Sequence, residues 1–227
     1  GSLITNSGTL EATASGGLDI FGIVGNTKAI TAKGTGAVVA IGGTAINSYN
    51  ATIAASGSGA HVDLNNATIR GGTLKTSGAG AVIDAVSGTT DLLGGATIAA
   101  GATVKINDGA ALVLAGVIVN SGTVGIDALN HATSLAISGN VTLSGNGKVA
   151  MSNDQNNDVA AVANSFAMLT NAGNAIQGAG TIGGDDLALI NKGTINANSS
   201  TALILNTGAA ETTNSGVLEA TASGGLD

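Results

Sequence analysis

The chain has 227 residues, of which 44% are hydrophobic and only 9% charged, with a formal net charge of −7 at pH 7. It contains no Cys and no Pro, and aromatic residues make up 1%. This excludes a disulfide framework, a Cys nucleophile and a Cys metal site, and it leaves no basic stripe for nucleic acid or an anionic membrane surface.

With so few rings, any core must be filled by Ala, Val, Ile and Leu, which suits a thin interior between closely spaced sheets. Glycine is abundant at 37 residues, yet the apolar fraction is too high for a disordered chain. No apolar run approaches the roughly 20 residues of a membrane helix, so no membrane insertion of this segment is expected. No charged-then-apolar leader opens the chain, as expected of an interior piece of a longer exported protein.

In chain order, residues 6–19 read NSGTLEATASGGLD, and a small residue, a Thr and an aliphatic residue come together at Gly8-Thr9-Leu10. That mark recurs at Ala51-Thr52-Ile53, Gly72-Thr73-Leu74, Ala96-Thr97-Ile98, Gly122-Thr123-Val124, Gly180-Thr181-Ile182 and Gly193-Thr194-Ile195. Between the marks lie short alternating strands such as 37–41, 62–64, 104–106, 112–114 and 203–205. Alternation sends apolar side chains inward and places Asp63 and Lys105 outward. Glycines supply positive φ at corners. Asn stands two residues before several marks, at Asn6, Asn120 and Asn191, with Asn214 before the Val217 variant; stacked Asn side chains form hydrogen-bonded ladders. Residues 158–170 carry helical spacing at Val159, Val162, Phe166 and Leu169. Two strands flanking Asn164-Ser165 are the stronger expectation there.

The chain closes on residues 214–227, NSGVLEATASGGLD, which match 6–19 everywhere except Thr9 against Val217. The second copy begins 208 residues after the first (214 against 6). A tandem unit over 6–213 follows, with the start of the next unit at 214–227 and one continuous segment over 1–227. The shorter period of about 20–25 residues predicts an all-β, single-stranded parallel β-helix. A rung then holds three strands and three corners, and a unit holds about ten rungs stacked about 4.8 Å apart.

The phrases NSGTLEATASGGLDI (6–20), NAIQGAGTIGG (174–184) and NKGTINA (191–197) resemble repeats of very large bacterial surface adhesins of the filamentous-haemagglutinin-like, autotransporter-like and type I-secreted kinds. The resemblance implies parallel β-helices, right-handed as a rule, that serve as stalks carrying adhesive regions away from the cell. It implies a secreted or cell-surface location, and adjacent repeats as the main partners, with end-to-end or lateral self-association.

Candidates for chemistry are few, and no catalytic residue is expected. His61-x-Asp63, with Arg70 nearby in sequence, is the best catalytic-looking group, read as a solvated polar face. His131 is expected to stand alone in a loop. Asp185 and Asp186 follow two glycines in the manner of a calcium-binding nonapeptide fragment, but the fragment occurs once. Asp154 and Asp158 bound an oxygen-rich stretch that lacks the ligand order of a calcium-binding loop. Calcium at either place is the one cofactor the sequence offers. A β-helical carbohydrate-active enzyme and a calcium-stiffened binding module are the alternatives to a structural rod. The absence of any Thr-x-Thr argues against an ice-binding ladder.

Overall fold

A computed structural model describes residues 3–227. Every pairing between strands is parallel, and no helix occurs among the described residues. The chain winds into a β-solenoid whose coils each contribute one strand to each of three faces. In the first coil these are Leu3–Asn6, Thr9–Ala12 and Leu18–Ile20. They pair with Ile23–Asn26, Ala29–Lys33 and Val38–Ile41 of the second coil. The third face alone stacks ten strands, ending on Val217–Ala220, so there are nine steps from coil to coil.

Alternation decides which side chains go inside. On the third face an inward column runs from Leu18 through Val39, Val62, Ile83 and Val104. It continues through Val124, Val149 and Ile176 to Ile195 and Leu218. From Val39 to Ile195 every member of this column is at most 1% exposed. Each such aliphatic contributes roughly 1.5–3 kcal/mol on burial, and each coil supplies the surface that buries the next. No ring enters this interior. Phe21, Tyr49 and Phe166 all lie at corners and are 70%, 92% and 85% exposed.

Glycine sets the corner between the second and third faces in the early coils. Gly34, Gly57 and Gly78 have φ of 115°, 126° and 109°, a region closed to other residues. A Cβ on Gly57 would stand 2.6 Å from the Gly34 carbonyl oxygen, so the corners can stack only without side chains. Elsewhere the chain dispenses with a loop: Ala111–Asn120 and Thr133–Ser144 run through the first corner as single strands, bent at Gly116 and Gly139.

The segment with helical spacing is two strands, Asn157–Ala161 and Ala167–Asn171, on either side of Asn164 at φ 61°. Helical periodicity loses there because both strands find parallel partners above and below, on the first and second faces.

The asparagine ladders are real and longer than the sequence marks indicate. Asn6 donates to Asn26 and Asn26 to Asn47, each over 2.8 Å, at the corner between the first and second faces. Between the second and third faces, Asn171 donates to Asn191 over 2.9 Å and Asn191 to Asn214 over 2.8 Å. Asn120 donates to Asn174 over 2.8 Å, reaching past a coil that has Gly145 and Gly147 at that turn.

Candidate functional site

His61 and Asp63 are alternate residues of His61–Asn65, between the inward Val62 and Leu64. They share the outer side of the third face, as the spacing predicts. The next coil places Asp84 directly beside Asp63 in register. His61 Nδ1 lies 3.1 Å from Asp84 Oδ2. The imidazole is half-exposed, whereas Asp84 is almost fully covered, its side chain 7% exposed. Burial first, and then the Asp84 carboxylate, raise the proton affinity of Asp63, while His61 opposes them. This is what two neighbouring carboxyls in a partly dry place do.

Among the described residues, His61, Asp63 and Asp84 are the one group of three such side chains close enough to share a metal ion, with one ligand atom from each lying within 4.8 Å of the others. One nitrogen and two carboxylate oxygens could hold a small divalent cation. The group stands on a sheet face, with its buried acid already engaged by the imidazole. Arg70 takes no place in it: Thr68–Arg70 is a first-face strand, pairing with Thr44–Ile46 and Asp91–Leu93. The partner that the sequence reading missed is Asp84, which stacking brings from 23 residues away.

His131 is not alone. Its Nδ1 is 2.6 Å from Asp108 Oδ2. Asp108 Oδ1 accepts the backbone N–H groups of Leu129, Asn130 and His131 at 2.9, 3.1 and 3.0 Å. The His131 side chain first, then the Leu129 amide, hold the Asp108 carboxyl well below the usual carboxylate range. Asp108 is thus a clamp by which one coil orders the loop of the next.

The four acidic candidates are divided between local structure and one groove. Asp154 caps its own loop, Oδ1 accepting the Asn156 N–H over 2.8 Å. Asp185 sits at a corner with φ 72° and accepts from Asn206 Nδ2 over 2.9 Å. Asp158 and Asp186 line a shallow groove of about 470 Å³ with Ala111, Val113, Ala136 and Ala160. Burial raises the Asp158 carboxyl above its ordinary value, and its Oδ1 has no hydrogen-bond partner. Among the described residues, none of the four belongs to a group of three potential ligands. Searches against protein-family models, curated proteins and solved structures find no match for this chain.

Proposed function

We propose that the chain is a structural repeat module: a length of rod or stalk in a large secreted or cell-surface bacterial protein, with adhesive capacity and a tendency to stack on further copies of its own unit. The observation that carries this reading is the continuity of the interior to both ends of the described stack. An aliphatic column runs unbroken from Leu18 to Leu218 through ten stacked strands, each coil burying the next, and a further coil of the same sequence adds by the same contacts. The recurrence of 6–19 at 214–227 supplies the sequence from which such a coil is made. Repetition multiplies length, which a rod needs. The resemblance of the repeat phrases to surface adhesins points the same way.

The test is electron microscopy of chains carrying one, two and three units. Length is expected to grow by about 45 Å per unit at constant width, from the spacing of stacked strands. Beads joined by linkers, or particles that thicken as units are added, would refute the rod.

A further inference from the structure

The two copies of the repeated phrase do not occupy the same faces. In the first, Asn6 closes a first-face strand, Thr9–Ala12 lies on the second face and Leu18 opens a third-face strand. In the second, Asn214 closes a strand paired with Leu189–Asn191 of the second face. Val217–Ala220 pairs with Thr194–Ala197 of the third face, and Leu226 bridges Leu203 of the first. Every element has moved on by one face. The step between copies is therefore nine turns and one third of a turn.

The same shift is visible inside the unit. The Asn turn lies between first and second faces at Asn6, Asn26 and Asn47, and between second and third faces at Asn171, Asn191 and Asn214. The longer Gly-rich turn moves in step, from the second-to-third corner at 13–17 to the third-to-first corner at 221–225.

We infer that the end of each unit is an interaction surface for a second copy entered one face on, so that consecutive units in tandem are rotated about the rod axis by one third of a turn. This rests on the rod reading and adds its symmetry. A surface feature of the unit, such as the exposed corner at Tyr49, points in three directions in successive units and returns to its first direction only after three units. A ligand for that feature meets the rod from any side. Lateral packing through one flat face cannot extend beyond a single unit without skipping two.

Two cysteine pairs read the phase in this chain as it stands. Asn196 and Glu219 are register partners on the third face, so N196C with E219C is expected to form a disulfide, with loss of both free thiols. I190C with E219C is expected to stay reduced. Had the second copy kept the faces of the first, Glu219 would lie on the second face, over the strand that contains Ile190, and the outcomes would exchange. That exchange overturns the inference.

In a three-unit chain with a peptide tag between Tyr49 and Asn50, bound antibody fragments are expected to leave the rod on three sides. Fragments all on one side also overturn the inference. Units that do not stack coaxially refute the rod instead, while the cysteine pairs still decide the phase.

Discussion

Replacing Asn120 by Ala tests whether the asparagine ladder holds the stack together. Asn120 is fully buried. Its Nδ2 donates to Asn174 Oδ1 over 2.8 Å and to the Lys148 carbonyl over 3.1 Å, and its Oδ1 accepts the Gly122 N–H over 3.1 Å. Three bonds at about 1 kcal/mol each, plus the desolvation of groups left without a partner, give about 3–5 kcal/mol. Asn47 is the control. It ends its ladder part-exposed: its Oδ1 accepts from Asn26 Nδ2 over 2.8 Å, while its Nδ2 makes only long contacts of 3.4 and 3.3 Å to the carbonyls of Ala45 and Arg70. Asn47→Ala, which loses one short bond, is expected to cost about 1–2 kcal/mol. Urea unfolding followed by circular dichroism gives both values. Hydrogen exchange locates the loosening, which should centre on the three coils that Asn120, Lys148 and Asn174 join, because backbone pairing links each coil to its immediate neighbours. If Asn120→Ala costs no more than Asn47→Ala, the three buried bonds of Asn120 contribute no more than one bond at the ladder's end and this reasoning fails.

The corner glycines separate conformation from contact. Gly59→Ala, at φ 63° with open space around the Cβ, should cost about 1–2 kcal/mol. Gly57→Ala meets both φ 126° and the Gly34 backbone and should cost about 3 kcal/mol or more; equal melting points for the two variants would contradict the stacked-corner account. Because the Asp108 carboxyl is held below its unfolded value, its contribution is complete above that value, about pH 4, and is lost as pH falls through the folded one. The protection of the Leu129, Asn130 and His131 amides relative to their intrinsic exchange rates should therefore fall in strong acid, and Asp108→Asn should lower that protection already at neutral pH. Asp63 has the opposite sign: its raised folded value means that ionisation opposes folding as pH rises. Asp63→Asn should melt higher than the parent at pH 7, with the gap closing in acid; a lower melting point at pH 7 would mean that the charge on Asp63 is needed. Deletion of residues 57–77 removes one whole coil and joins Ser56 to Gly78, which stand in for the Ser77–Gly78 junction. The shortened chain should keep its parallel β signature, whereas deleting only 57–67 should not.

The architecture was legible because two periods coincide. Alternation sorted Val62 and Leu64 from Asp63, and the coil-length recurrence showed that such strands return. The face on which each strand lies was not legible. The Thr marks look equivalent in sequence, but Thr52, Thr73 and Thr97 stack on the second face, Thr123 and Thr194 lie on the third, and Thr181 lies on the first. A local signature of corner and strand fits any of the three faces, since each offers the same parallel neighbours. The same limitation hid Asp84 from His61 and Asp108 from His131: both pairings are set by the length of the intervening coil, 23 residues in each case, and residue type says nothing about that.

That interchangeability is also what permits a unit to advance by a fraction of a turn. A fractional period would fail in a solenoid whose corners each required one loop, because the Asn turn of one unit would land on a glycine turn of the next. Here the change of corner is absorbed within the unit. Between the early Asn ladder and the late one lie the two strands that pass the first corner without a loop, Ala111–Asn120 and Thr133–Ser144, bent only at Gly116 and Gly139. At a corner without a loop, no turn type needs to match the coil above or below. An inward aliphatic column continues through this region, as Leu114 over Leu92 and Ile137 over Leu114 show. Register between coils is therefore held by the aliphatic interior, while the corners are free to exchange roles.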